Sequence, residues 1–252
     1  MADTCEIRII PLPGLPEIAE GDDLGSLIPE AVTAAGLEIR DRDVFVIAQK
    51  VVSKAEARVV TLSSVTPSER AIEWAASHDK DARMVEVILA ESRRIVRMER
   101  GIIISETRHG FVCANAGVDA SNAAEGTVIL LPVDPDKSAR EIRARLESAF
   151  GVRLAVIISD TFGRPWREGL TNVALGSSGI APLTDYRGQA DLHNRELRVT
   201  VIATADELAS AAELVMKKSA AVPVAIIRGF DYEPGESTAR DLVRPADKDL
   251  FR

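Results

Sequence analysis

The sequence predicts a mixed α/β or α+β domain in which sheets pack against helices, and three observations lead there. Apolar runs of strand length, such as Val44–Ile47 and Leu154–Ile158, are bounded by polar residues. Segments with helical spacing stand between them, the first being Leu24, Leu27, Ile28, Ala31, Val32 and Ala35. Hairpin-like neighbours interrupt any strict alternation of strand and helix, which argues against a purely doubly wound sheet. No repeat, low-complexity tract or linker divides the 252 residues, so a single domain over residues 1–252 is expected.

The elements follow from local chemistry. Residues 5–12 read as a strand closed by Pro11-Leu12-Pro13-Gly14-Leu15-Pro16, and the helix from Leu24 stops near Gly36. Val44–Ile47 follows the turn-like Asp41-Arg42-Asp43, and Val51-Val52-Ser53-Lys54 reads as a strand end. Thr66-Pro67-Ser68-Glu69 is a capping box with Pro at the first helical position, predicting helix onward to about Arg94 with a break near His78. Ile102–Ile104 and Phe111–Cys113 suggest a hairpin turned at Arg108-His109-Gly110, and Val128–Leu131 a further strand. Ser138 with Glu141 reads as a second capping box, opening a helix that carries Ile142, Leu146 and Phe150 and ends at Gly151. Gly169–Gly179 reads as a glycine-rich stretch, Leu197–Thr204 as a strand and Asp206–Met216 as a helix. Val222–Ile227 reads as a buried strand, and a helical turn at Ser237–Val243 interrupts the polar tail.

Bulk composition narrows the function classes. Lys and Arg number 31 against 39 Asp and Glu, a formal charge of −8, so general attraction to nucleic acid or an anionic membrane is not expected. Cys5 and Cys113 cannot supply a disulfide framework. The N-terminus shows no basic segment followed by an apolar one, and no apolar run approaches the roughly 18 residues of a membrane span. A soluble, cytoplasmic protein is expected.

Standard phosphate motifs are absent. There is no G-x-x-x-x-G-K-S/T loop and no G-x-G-x-x-G fingerprint, so neither a P-loop nor a Rossmann fold is expected. His78, His109 and His193 are too scattered for zinc. Hard-oxygen chemistry remains. Asp160, at the end of the 154–158 strand, is followed by Thr161, Gly163, Arg164 and Arg167 in what reads as one loop. Asp119 lies in a second such loop, Asn115-Ala116-Gly117-Val118-Asp119-Ala120-Ser121-Asn122. Mg²⁺ is commonly held by one or two protein carboxylates together with substrate phosphates, and this pair suits that count. A single Asp after a strand is more often a turn or cap residue, and Asn122 likewise reads as a turn former. The two guanidiniums favour an anionic substrate, since a capping Asp needs neither. On an extended strand Ser53 and Lys54 face opposite sides, which disfavours a nucleophile pair. Lys54 then either holds a phosphate or is a solvated lysine.

Six collinear segments together resemble the coenzyme F420-0:γ-glutamyl ligase family. They are L-P-G-L-P-E (12–17), V-V-S-K-A-E (51–56), N-A-G-V-D-A-S-N (115–122), L-P-V-D-P-D-K-S-A (131–139), I-I-S-D-T-F-G-R-P-W-R-E-G (157–169) and A-D-E-L-A-S-A-A-E-L-V (205–215). The likeness runs from about Ile9 to the Asp249-Leu250-Phe251 tail and is nearest to the ligase domain of the actinobacterial two-domain enzyme, ending where that enzyme's flavin-reductase-like domain begins. It implies a GTP-dependent ligase that phosphorylates the carboxylate of coenzyme F420-0, and of F420-1, then lets the L-glutamate amine displace phosphate. The products are a γ-glutamyl amide, GDP and phosphate. By position, Asp119, Asp160 and Thr161 match the family's ligands for Mg²⁺ or Mn²⁺, expected as two ions. Asn122, Lys54 and the Leu15-Pro16-Glu17-Ile18 loop match nucleotide contacts, and Gln49 stands at a further one. Arg164 and Arg167 are assigned here to the precursor's phosphodiester or carboxylates. A homodimer, intertwined and with sites near the interface, and a K⁺ ion are also implied.

Three departures stand out. Ala48-Gln49-Lys50 replaces a family Thr-Ser before the lysine, Lys217-Lys218 replaces a usual glycine, and Asn194 stands where glycine is common. An ammonium cannot be a metal ligand, so Lys217-Lys218 bears on any metal contact there. The rival readings are a metal-dependent phosphohydrolase using the same Asp pair and a non-catalytic deazaflavin-binding protein.

Overall fold

A computed structural model describes residues 6–250. Cys5, the first residue of the predicted opening strand, and Phe251, at the end of the family likeness, lie outside the described residues.

The core is a five-stranded sheet ordered β1 (Arg8–Leu12), β12 (Val224–Arg228), β2 (Val44–Ala48), β8 (Ala155–Arg164) and β9 (Arg167–Ser178). Only β2 and β8 run parallel; the other pairs are antiparallel. The central strands are buried on both faces, which is why their sequences read as unbroken aliphatic runs. Alternate residues separate two layers. Phe45, Ile47, Val156, Ile158, Val224 and Ile226 face a layer with α1 (Leu24–Ala34) and α5 (Pro135–Phe150). Val44, Val46, Ala155, Ile157, Ala225 and Ile227 face α6 (Thr204–Met216). Pro11 is tolerated because β1 is an edge strand.

Residues 59–131 build a second cluster. Its helices α3 (Glu69–His78) and α4 (Ala82–Glu91) join a sheet of β4 (Ser92–Glu99), β5 (Ile102–Thr107) and β6 (Val112–Ala114), and a ribbon of β3 (Val59–Thr61) and β7 (Thr127–Ile129). Ala71, Ala75, Val85, Ile88, Ile103, Val118, Val128 and Leu130 fill its interior. A short ribbon, β10 (Thr184–Asp185) with β11 (Val201–Ile202), stands apart. The mixed α/β class is as the sequence predicts.

Several boundaries differ. The V-V-S-K segment is not a strand end; it lies in helix α2 (Gln49–Ala55). The third helix is capped by Ser68, not Thr66, its hydroxyl accepting from Ala71 N at 3.4 Å. The fifth begins at Pro135, capped by Asp134 accepting from Lys137 N at 3.0 Å, so Ser138 lies inside it. Ser92–Arg94 are strand, because pairing with β5 supplies ladder bonds that a longer helix would forfeit. The glycine-rich stretch is mostly strand β9, and the 197–204 strand shrinks to Val201–Ile202. Gly176 explains itself: a Cβ there would lie 2.2 Å from Pro135 O, so the strand needs glycine to meet the α5 N-terminus.

Candidate active site

The C-terminal ends of the parallel strands β2 and β8 lie side by side, Ala48 in register with Ser159. In open α/β sheets such ends form the crevice where ligands bind. From β2 the chain passes directly into α2 through Gln49 and Lys50, while β8 continues into Asp160 and Thr161. The loop after β6 completes the site. Asn115 and Ala116 adopt left-handed backbone, turning the chain so that Asp119 bridges to Ile129 with reciprocal N–H···O bonds of 3.0 and 2.8 Å.

Lys50 sits at the centre. Its ammonium lies 2.6 Å from Asp119 Oδ2 and donates to Ser121 Oγ. Ser121 in turn donates its N–H and hydroxyl to the Asp119 carboxylate at 2.7 and 2.8 Å. Burial pushes the Asp119 carboxyl up, but Lys50 and these Ser121 donors outweigh it and hold Asp119 below its ordinary value. Asp160 behaves oppositely. Burial, aided by the Asp119 charge, raises it to about 6, despite the Thr161 backbone N–H and the charges of Lys50 and Lys218. The two carboxylates therefore share one electrostatic environment around Lys50.

A second ammonium approaches from the other side. Lys218 donates to Thr161 Oγ1 and lies 3.4 Å from Glu213. Thr161 Oγ1 donates to Asn172 Oδ1 at 2.7 Å, and Asn172 Nδ2 donates to Glu213 Oε2 at 3.1 Å. Two atoms beside these groups, Gln49 Nε2 and Ser159 Oγ, are buried without a hydrogen-bond partner. Gln49 Oε1 accepts from Ser53 Oγ at 2.7 Å, which fixes the amide with its donor end free.

The nucleotide candidates fall partly together. Glu17, Ile18 and Lys54 line a cleft of about 270 Å³ with Ala57, Val59 and Ala123. Lys54 pairs with Glu17 at 2.5 Å, so it is neither solvated nor free, and Ile18 is buried in the core. Leu15 and Pro16 are not among the residues lining this cleft, whereas Asn122, exposed in a left-handed turn, adjoins its rim at Ala123. Arg164 and Arg167 do not sit in a loop around Asp160. They are paired on β8 and β9 at the tip of a hairpin arm, four residues or roughly 13 Å along the strand from Asp160. Arg164 there donates to Glu168 O at 2.9 Å.

The donor set fits a hard divalent cation. Asp119, Asp160 and Thr161 offer only oxygen, and Asp160 still lacks a cation sufficient to hold it ionised at its ordinary value. No cluster of three or more His, Cys, Asp or Glu suited to a metal occurs among the described residues, so an ion here needs further oxygens from substrate or water. The residues that pattern reading missed are Lys50 as the central partner, together with Ser121, Asn172, Glu213 and Ser159. Asn172 is buried yet polar, but only β8–β9 pairing reveals its partner Thr161.

Comparison with known proteins shows the family. The sequence profile of the family described as F420-0:Gamma-glutamyl ligase matches residues 14–229. The chain belongs to that family. It is thus a ligase. It is 46% identical over 249 residues to the coenzyme F420:L-glutamate ligase of Methanothermobacter thermautotrophicus, covering 98% of this chain and 99% of that protein. Its identity to the enzyme of the same name from Methanopyrus kandleri is 48% over 251 residues, covering 98% of each. The match to the Methanocaldococcus jannaschii enzyme is 47% over 215 residues, covering 85% and 86%. No helix of the described residues is long and apolar enough to cross a membrane.

Proposed function

We propose that this ligase joins L-glutamate to the acyl carboxylate of coenzyme F420-0, and to F420-1, with GTP as the phosphoryl donor. The observation that carries the reading is the pair Asp119 and Asp160, brought around Lys50 by two separate elements in a chain whose relatives bear that ligase name. A carboxylate is a poor electrophile until phosphorylated, and phosphoryl transfer rests on positioning and charge neutralisation. Asp119, Asp160 and Thr161 would hold Mg²⁺ or Mn²⁺, two ions in the full reading, supplying charge neutralisation at the phosphates when bound. Lys50 adds fixed positive charge between the carboxylates, and Lys54 adds it at the Glu17 cleft where the nucleotide is placed. Gln49 Nε2 and Ser159 Oγ are the buried polar groups awaiting a partner at the crevice. The glutamate amine then displaces phosphate, leaving the amide.

A homodimer, K⁺ dependence and a cytoplasmic setting belong to the same proposal. Support for self-association comes from apolar side chains left in solvent on projecting segments: Trp166 is 79% exposed, Leu170 69% and Leu192 fully so. The deciding experiment is mass spectrometry of the products after incubation with GTP, Mn²⁺, glutamate and the precursor. GDP release that needs both acceptor and glutamate, with one glutamate added per GDP, is expected. Release without glutamate would make the protein a phosphohydrolase, and tight coenzyme binding indifferent to Mn²⁺ and to Asp160→Ala would make it a binding protein.

A further inference from the structure

A second cleft, of about 380 Å³, lies between the β5–β6 turn and the C-terminal segment, and none of the residues placed in the ligase site lines it. Arg93, Arg108, Arg240 and Arg244 line it with Glu106 and His109. Four guanidiniums in one recess are out of keeping with a chain of net charge −8. Ion pairs among the described residues engage only Arg93 of these four. Arg93 and Arg94 share the single buried carboxylate of Glu106, at 3.3 and 3.2 Å. Arg108 donates to the Ala90 carbonyl at 3.0 Å, which positions it, and it forms no ion pair among the described residues. Arg240 and Arg244 are exposed and form no ion pair among the described residues.

His109 contributes a second observation. Its Nε2 lies 2.9 Å from Pro132 O and 3.1 Å from Val133 O, so that nitrogen donates and the ring is fixed. Its Nδ1 is buried and has no hydrogen-bond partner among the described residues. The ring stacks on Phe111, which meets Phe162 edge-on at 6.3 Å. This aromatic series connects the recess to β8, which carries Phe162 two residues beyond Asp160.

The geometry points to an anion-binding site in this recess, selective for small polyanions whose phosphate or carboxylate oxygens can each take a guanidinium. The size of the recess suits two or three such groups, and arginine suits planar or bidentate oxyanion recognition. The recess shares no lining residue with the cleft of Glu17 and Lys54. Inorganic pyrophosphate and tri-γ-glutamate separate the two sources of this chemistry.

The test is titration calorimetry on the full chain in EDTA, with each probe in turn, at low salt and at about 0.15 M salt, where screening of exposed charges is substantial. Saturable binding of at least one probe is expected, weakened by salt. Arg240→Glu with Arg244→Glu should weaken it at least about tenfold, since two charge-assisted contacts become repulsive. Both side chains are exposed, so this variant should keep its circular dichroism spectrum and melting temperature. Arg240→Lys with Arg244→Lys should retain binding in part, and Lys54→Ala, in the nucleotide cleft, should leave it unchanged. Preference for pyrophosphate names a phosphate ligand, and preference for the peptide a carboxylate chain. Saturable binding of neither probe, or binding abolished by Lys54→Ala and untouched by the double charge reversal, overturns the assignment.

Discussion

Replacing Asp160 by Asn should make the metal-free protein more stable while removing metal-dependent ligation. Burial, with the Asp119 charge behind it, raises the folded-state Asp160 carboxyl to about 6 from an ordinary 3.8. At about 1.4 kcal/mol per tenfold in acidity, that gap sets a ceiling of about 3 kcal/mol lost above neutral pH. The side chain keeps some contact with solvent, which reduces the expected effect to about 1–2 kcal/mol. The sign follows from linkage. The folded chain binds this proton more tightly than the unfolded chain, so the Asp160 contribution is most favourable below about pH 4 and is lost as pH rises through about 6. Asn has no charge to desolvate and can still accept the Thr161 N–H. Urea denaturation in EDTA should therefore show Asp160→Asn ahead of wild type by about 1–2 kcal/mol at pH 8, the difference narrowing towards pH 4. Adding Mn²⁺ should reverse the order, because an ion bound only by the folded wild type stabilises it by mass action. A variant no more stable than wild type at pH 8 in EDTA would refute the account of Asp160 as a carboxylate held for a cation.

Three further outcomes are open to measurement. Lys218→Gly removes the ammonium that donates to Thr161 Oγ1, so Mn²⁺ affinity, read by calorimetry, should rise several-fold; unchanged affinity would place the metal away from Thr161. Gly176→Ala drives a methyl into the Pro135 carbonyl at 2.2 Å, and a loss of about 3 kcal/mol or more is expected in denaturant melts. Cys113 is buried, and that burial with the Asp160 charge pushes its thiol up to about 12. Iodoacetamide at pH 8 should label the Cys113 peptide only after denaturation, and rapid labelling of native protein would contradict the packing around β6.

Much of the core was legible because its chemistry is local. Val44–Ile47 and Leu154–Ile158 announce buried strands by composition alone, and the helix at 24–34 by its spacing. What misled lay where tertiary partners decide. Val51–Lys54 carries two β-branched residues and reads as extended, yet Val52 and Ser53 are buried on one helical face while Lys54 reaches across to Glu17. Gly169–Gly179 reads only as a glycine-rich stretch because glycine weakens strands, and its strand character comes from pairing along β8. The same extension of β8 carried Arg164 and Arg167 out along an arm, so nearness in sequence to Asp160 did not become nearness in space. Asp119 and Asp160 were findable as polar residues beside glycines, whereas Lys50, which pairs with Asp119 and whose charge is felt at Asp160, carried no signal of its own.

The position of Lys50 bears on how such a site tolerates its own design. Two carboxylates in one half-buried crevice repel, and the structure relieves them unequally: Asp119 takes the ammonium and two Ser121 donors, while Asp160 is left in deficit. A symmetrical arrangement would neutralise both and leave little reason for a dication to enter. Complete neglect of both would strain the fold, since β2 and β8 must lie side by side for the sheet to close. An asymmetric pair, one side chain satisfied and one unsatisfied, keeps the strands together and still favours a cation at Asp160. On this argument Lys50→Met should damage the protein in two ways at once, raising the Asp119 carboxyl towards that of Asp160 and lowering metal-free stability at pH 8 more than at pH 5. If the loss were equal at both pH values, the lysine would matter for packing alone and the asymmetry would have no electrostatic basis.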